Sequence, residues 1–145
     1  MKIPILSTDT PIDLLNLYAK NTMVENLGIL FTEIGSDYVK ASMPVDCRTT
    51  RPGGILHGGA NLALAETLAG LGSMLLVDFE KFDVKGIQIS GNHTGSISEG
   101  MVLATAKIVH VGKQTHVWDV RIESENGKLL STERVTNMIV ERNGK

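Results

Sequence analysis

Between Gly58 and Val77 the chain carries a single charge, Glu66, and its large apolar residues recur at helical spacing. Leu64, Leu68, Leu71 and Leu75 form one stripe, while Ala63, Glu66, Ala69, Gly70 and Ser73 form a second face of mostly small residues. The pattern predicts one long helix from Gly58 to Val77, with its large side chains in a core and something approaching closely on the small face. No face is left for water, so the helix is expected to be buried nearly all round.

Elsewhere the period is that of strands. Ile29 to Ile34 and Tyr38 to Pro44 flank a turn at Gly35-Ser36-Asp37, and Cys47 to Gly54 is a loop rich in Arg, Thr, Pro and Gly. Val84 to Asn92, Met101 to Val111, Gln114 to Ser124 and Leu129 to Glu141 follow the helix. Within the third of these, His116, Trp118, Val120 and Ile122 alternate with Thr115, Val117, Asp119 and Arg121. Asn126-Gly127 predicts a type I′ hairpin, whose two central residues need positive φ. Near the N-terminus, Thr10-Pro11-Ile12-Asp13 opens a short helix to about Lys20, with Thr10 as N-cap and Pro11 in the first helical position. A helix, two strands, a long buried helix and four strands predict an α+β fold, an antiparallel sheet around one central helix.

Composition narrows the functional classes. The 145 residues fit one domain, 1–145, with an N-terminal helical extension at about 10–20, and show no repeat, low-complexity tract or linker. Lys plus Arg number 14 and Asp plus Glu 16, a net charge of −2 that argues against non-specific nucleic-acid binding. Glu66, in the middle of the one long apolar stretch, argues against a membrane span, and Met1 to Thr10 has no apolar run of the secretory kind. The single cysteine, Cys47, excludes an internal disulfide and fits a reducing, cytoplasmic compartment.

Glu66 is the most informative residue. A carboxylate two turns into an apolar helix should be paired, protonated or facing a cavity, because burying it unpaired is costly. Its bland reading is a hydrogen-bonded Glu in a subunit interface. His57-Gly58-Gly59 stands at the start of the same helix, where the first amides lack internal partners and carry the positive end of the dipole. Such a turn can polarise a carbonyl or hold an oxyanion; its bland reading is a glycine-rich turn capped by His57. Glu66 lies seven positions after Gly59, a rise of about 10 Å. Groups acting on one carbonyl must each come within about 3 Å of it. If both act together, the Glu66 of one chain should face the His57-Gly58 turn of another.

Leu56-His57-Gly58-Gly59-Ala60 followed by Leu64-Ala65-Glu66 resembles the hotdog-fold acyl-CoA thioesterases. That group includes the 1,4-dihydroxy-2-naphthoyl-CoA hydrolases and the 4-hydroxybenzoyl-CoA and phenylacetate-pathway thioesterases. The likeness extends to Met43-Pro44-Val45-Asp46, to Asn92-His93 and to Gly112 through Trp118, and spans the chain from about Val24 onward. It implies a hotdog fold, a helix wrapped by a sheet. It also implies a homo-oligomer, a dimer commonly assembled into a tetramer, with its site at the subunit interface. Glu66 matches the family's nucleophile or general base, the Gly58 amide its oxyanion donor, and His57 the residue that positions the carbonyl. Gly59 completes the turn. The pantetheine and nucleotide sites match His93, Thr94, Gly95 and Ser96, and His110, Val111, Gly112, Lys113, Gln114 and Thr115. No cofactor or metal is implied, since coenzyme A is part of the substrate.

The chain departs from the pattern at three places. Arg51 stands where some relatives carry a Gln that contacts the thioester region. Gly70 stands where some carry a Ser or Thr that orients water. Gly95 and Ser98 stand where arginines can meet the phosphates of CoA, leaving Lys113 and Arg51 as local cations for an anionic ligand. The expected activity is hydrolysis of aryl or medium-chain acyl-CoA thioesters to free acid and CoA. The alternatives are a hotdog dehydratase acting on acyl-carrier-protein substrates and a non-catalytic acyl-CoA-binding hotdog. Cys47 has no partnered His in the sequence, the four histidines have no metal-ligand spacing, and His116 reads as a sheet-packing residue.

Overall fold

The computed structural model describes residues 6–142. Residues 1–5, part of the segment read above as no leader, lie outside the described residues, as do 143–145. The elements are α1 (Ile12–Tyr18), α2 (Met23–Asn26), β1 (Leu30–Ile34), β2 (Tyr38–Pro44), α3 (Gly58–Leu76), β3 (Phe82–His93), β4 (Met101–Val111), β5 (Thr115–Ser124) and β6 (Leu129–Glu141). The strands form one antiparallel sheet in the order β1-β2-β4-β5-β6-β3, with α3 packed on its inner face. The expected α+β arrangement is therefore present.

Alternation decides what each strand buries. Val102, Ala104 and Ala106 of β4, Trp118, Val120 and Ile122 of β5, and Val135 of β6 meet Leu64, Leu68, Leu71 and Leu75 of α3 in one core. By length and composition α3 could cross a bilayer, but its large side chains are consumed by this core. A Cβ at Gly72 would lie 2.4 Å from the Trp118 ring, so only glycine lets the helix sit this close to β5.

Local chemistry moved four details away from the sequence reading. Pro11 takes the N-cap position of α1, because the Thr10 hydroxyl is spent accepting from the Ser7 amide. The helix ends at Tyr18, and a second short helix, α2, follows with Thr22 as its N-cap. The β5–β6 turn is not type I′. Only Gly127 has positive φ, 83°, and Ser124 and Lys128 close a three-residue loop, which one left-handed glycine satisfies. Lastly, α3 is not buried all round: Glu66 is exposed, and Gly59, Leu62, Ala63 and Gly70 are open in part or fully. Of the small face, Ala63, Glu66 and Gly70 are uncovered, while Ala69 and Ser73 are buried.

One hydroxyl fixes how α3 is rotated. Ser73 Oγ accepts from Trp118 Nε1 at 2.9 Å and from Asn137 Nδ2 at 2.9 Å, which fills its two lone pairs. Its single proton is left for His116 Nδ1, 3.0 Å away. His116 is therefore neutral with hydrogen on Nε2; burial holds it below the usual histidine range, and nearby His110 adds to the effect. We predict that Ser73→Ala destabilises the protein by about 3 kcal/mol, since it strands several buried polar groups at once. Urea unfolding checks this; a loss under about 0.5 kcal/mol would show the cluster to be dispensable.

Candidate active site

The turn ahead of α3 is built by the loop before it. Arg48 beside Asp46 holds that carboxyl down at about 2, and the Asp46 carbonyl accepts from the Thr49 and Thr50 amides. Thr49 then accepts from the His57 amide at 2.8 Å, and Thr50 bridges to Leu56. His57 enters the helix extended, φ −74° and ψ 132°, and its Nδ1 accepts from the Gly59 amide at 2.8 Å. An accepting Nδ1 puts the hydrogen of neutral His57 on Nε2, the outward nitrogen. Among the described residues no protein group accepts from the Gly58 amide. One free N–H thus stands at the positive end of a 19-residue helix.

His93, the last residue of β3, closes this turn from the other side. A Cβ on Gly58 would lie 2.5 Å from His93 Nε2, so Gly58 is required for the approach. Thr94 and Gly95 follow, both donating to the Leu130 carbonyl, and the Ser96 carbonyl accepts from Lys128 Nζ. Arg51 lies in the exposed loop before His57, its guanidinium turned back onto the Pro52 carbonyl at 2.8 Å. The structure therefore brings His57, Gly58, Gly59 and His93 to Ser96 to one end of α3.

It does not bring the rest there. Glu66 stands two turns along, where a Cβ on Gly86 of β3 would lie 2.4 Å from its Oε1. Of the three states expected for Glu66, paired, protonated or facing a cavity, pairing does not occur within this chain: Glu66 is exposed and makes no hydrogen bond or ion pair among the described residues. Gly70, one turn further, has nothing within 4 Å of where a Cβ would be. His110 to Thr115 lie at the opposite end of α3, roughly 27 Å along its axis from Gly58. There they line an open cleft of about 1130 Å³ with Leu76, Phe82 and Met138.

One polar group at the turn escaped the sequence reading. Glu133 on the inner face of β6 is 4% exposed, and its only polar contact among the described residues is Ser131 Oγ, which donates to Oε1. Ser131 Oγ also lies 2.8 Å from His93 Nδ1. The signal was in the strand period: Val135 and Ile139 point inward, so Ser131, Glu133 and Asn137 do too.

Similarity to known proteins agrees with this geometry. The thioesterase superfamily model matches residues 53–131. The chain is 40% identical over 129 residues to the proofreading thioesterase EntH of Cronobacter sakazakii, covering 89% of this chain and 93% of that one. It is 39% identical over 129 residues to the 1,4-dihydroxy-2-naphthoyl-CoA hydrolase of Escherichia coli, covering 89% and 94%. Among solved structures, a mutant thioesterase from Pseudomonas aeruginosa superposes with a TM-score of 0.92 at 37% identity, covering 95% of this chain and 99% of that one. A thioesterase from Haemophilus influenzae gives 0.90 at 34% identity, covering 97% of each. The chain belongs to the thioesterase superfamily. It has the hotdog fold and is a thioester hydrolase, which sets aside the dehydratase and pure binding alternatives.

Desolvation pushes the Glu133 carboxyl up from the ordinary 4.5 to about 7, against a smaller opposing effect of the Ser131 hydroxyl. Between those values the folded chain holds a proton that the unfolded chain releases. Stability therefore falls as pH rises through the window, by on the order of 3 kcal/mol in total. We predict that Glu133→Gln removes this fall, measured as the free energy of unfolding between about pH 4.5 and 8. Equal slopes in both proteins would mean that the buried carboxyl is ionised throughout.

Proposed function

We propose that this thioesterase hydrolyses aryl or medium-chain acyl-CoA thioesters to free acid and CoA at a site shared by two copies of the chain. The observation that carries the reading is the free Gly58 amide at the start of α3, flanked by the outward Nε2–H of His57. A thioester oxygen seated on that amide gains a donor aimed where negative charge develops. The second requirement is a base or nucleophile, and the Glu66 of the same chain lies about 12 Å further along the axis. β3 supports a partner as the solution: it is 12 residues long, pairs only with β6 among the described residues, and leaves its other edge open. An unpaired strand of this length is a template for a second chain.

In the general-base route, the Glu66 carboxylate takes a proton from water as the hydroxyl oxygen bonds to the carbonyl carbon. The carbonyl electron pair moves to the oxygen on Gly58. Collapse re-forms the C=O, breaks the C–S bond with its pair going to sulfur, and Glu66 returns the proton to the thiolate. In the nucleophilic route, a Glu66 oxygen bonds to the carbonyl carbon, the thiolate leaves, and water hydrolyses the resulting anhydride. His57 holds the carbonyl through Nε2–H in both. Arg51, Lys113 and the residues His93 to Ser96 and His110 to Thr115 are assigned to the CoA portion. A dimer or tetramer in the cytoplasm fits this assignment.

We predict that Glu66→Gln abolishes thiol release while substrate still binds. Gly58→Ala should be inactive as well, because its Cβ would strike His93. Mixing and exchanging the two inactive proteins should restore activity, because a hybrid dimer holds one intact composite site. Demonstrated subunit exchange without activity would refute the shared site; activity of Glu66→Gln within a few-fold of wild type would refute the role of Glu66.

The open space at Gly70 yields a second expectation. A hydroxyl there would stand one turn from Glu66, with no atom to displace. One added hydrogen bond to the attacking water is worth ~1 kcal/mol, so Gly70→Ser should raise the turnover number by ~5-fold. Steady-state hydrolysis of one aryl-CoA and one medium-chain acyl-CoA measures it. A raised Michaelis constant for the aryl substrate with no faster turnover would instead assign Gly70 to acyl-group space.

A further inference from the structure

His93 and Ser131 are directly opposed in the β3–β6 register, as are Gly91 and Glu133. The Glu133 side chain lies beneath α3: a Cβ on Gly91 would be 2.8 Å from Leu62 Cδ2 and 3.0 Å from Glu133 Cγ. Val120 is its neighbour on β5. In this apolar pocket Oε1 meets only Ser131, and Oε2 is buried with no partner among the described residues. Ser131 Oγ also contacts the Asn92 carbonyl at 3.2 Å and His93 Nδ1 at 2.8 Å, and the far nitrogen of His93 lies against Gly58. A hydrogen-bonded chain thus runs from a buried carboxyl to His93, whose ring abuts the Gly58 turn.

We propose that Glu133 is a positioning residue which, through Ser131, decides whether His93 presents an N–H or a bare lone pair to the Gly58 turn. The reason is proton counting. A hydroxyl has one hydrogen, so Ser131 can donate to only one of its three neighbours, Glu133, His93 Nδ1 and the Asn92 carbonyl. With Glu133 ionised, Ser131 donates to it, Nδ1 of His93 donates to Ser131, and neutral His93 shows a lone pair at Nε2. With Glu133 protonated, the carboxyl donates to Ser131 and frees its hydrogen; Nδ1 at 2.8 Å is a closer acceptor than the Asn92 carbonyl at 3.2 Å, so Ser131 donates to Nδ1 and His93 carries its hydrogen on Nε2.

Other ionisable groups on the surrounding elements stand apart from this chain. His57 and Glu66 of α3 make no bond to it, and His116 of β5 is held in the Ser73 cluster. Asp119, Arg121 and Arg134 form exposed ion pairs with side-chain partners elsewhere on β5 and β6. The raised pKa of Glu133, about 7, sets the switch near neutrality. The catalytic consequence rests on the reading of Gly58 as the oxyanion donor. An Nε2–H beside it supplies a second donor, whereas a lone pair repels the carbonyl oxygen.

The test is nitrogen-15 NMR of the histidines in the full-length protein, with no ligand added. At about pH 9, neutral His93 of the wild type should be the Nδ1–H tautomer, against the preference of free imidazole. In Glu133→Gln the amide can donate to Ser131, and in Ser131→Ala the link is cut, so both should show the Nε2–H tautomer. Thiol release should lose turnover by ~10-fold in the wild type as pH rises above neutrality, at constant Michaelis constant, and Glu133→Gln should lose that pH dependence. The same tautomer in all three proteins would overturn the proposal, and the wild-type spectrum alone decides it if a variant does not fold. An Nδ1–H wild type lacking thioester hydrolysis would refute the proposed function and leave the relay standing. Normal hydrolysis with an Nε2–H wild type would do the reverse.

Discussion

The hydroxyl of Ser73 is the point on which the rest of the molecule turns. It joins α3 to β5 through Trp118 and His116, and to β6 through Asn137. Asn137 adds a second tie, donating to the Ala69 carbonyl at 2.9 Å. Apolar packing alone tolerates small rotations of a helix, because dispersion contacts are many and non-directional. Three directed hydrogen bonds to one oxygen do not. Seven residues are nearly two full turns, so Glu66 falls on almost the same side of α3 as Ser73, toward β3 and β6. The rotation that buries Ser73 is the one that leans Glu66 over Gly86.

That rotation also explains why Glu66 and the Gly58 turn stand apart within one chain. The sheet is broad where β2, β4 and β5 cover the leucine stripe, and ends at β3, an edge strand. The helix face that leans toward this edge has only half a roof, which leaves Glu66 exposed despite its apolar neighbours in sequence. The axis separates that carboxylate from the Gly58 amide by about 12 Å, a distance that no side-chain rotamer closes against a single carbonyl. An open face and an unpaired edge on the same side of the molecule are the complement that a second copy, related by a two-fold axis, would fill.

Much of this was legible in the residues. The leucine spacing gave α3 its limits within one residue, and alternation located the later strands, since both periods survive whatever packs around them. The turn His57-Gly58-Gly59 could be read because glycine next to a helix start has few other uses. What could not be read depended on tertiary accounting. Thr10 looked like a cap until Ser7 claimed its hydroxyl, and Asn126-Gly127 looked like type I′ until a third loop residue made one positive φ enough. Glu66 was expected to be covered because its own sequence neighbours are apolar. Sequence pattern reports what a helix would bury if enclosed, and β3 is the place where this sheet stops.

The polar residues beneath α3 follow from the same geometry. Ser131, Glu133 and Asn137 occupy inward positions of β6 where valine or isoleucine, as at Val135 and Ile139, would pack without a desolvation cost. The cost is moderated by neutrality: a protonated Glu133 with one hydrogen bond loses far less hydration than a carboxylate would. Their placement is ordered along the helix. Ser131 lies under the Gly58 turn by way of His93, Glu133 under Leu62, and Asn137 beside Ala69 and Ser73. A purely structural polar seam would be satisfied at every atom, as buried hydrogen-bonding groups generally are. This one is closed at the Ser73 end, apart from one oxygen of Asn137, and is left a bond short at the Glu133 end, where Oε2 has no partner. The unsatisfied atom sits on a group that can respond by holding a proton, at the end of the seam that reaches the Gly58 turn by way of His93. There the deficit is felt as a shifted protonation equilibrium instead of a fixed loss of stability.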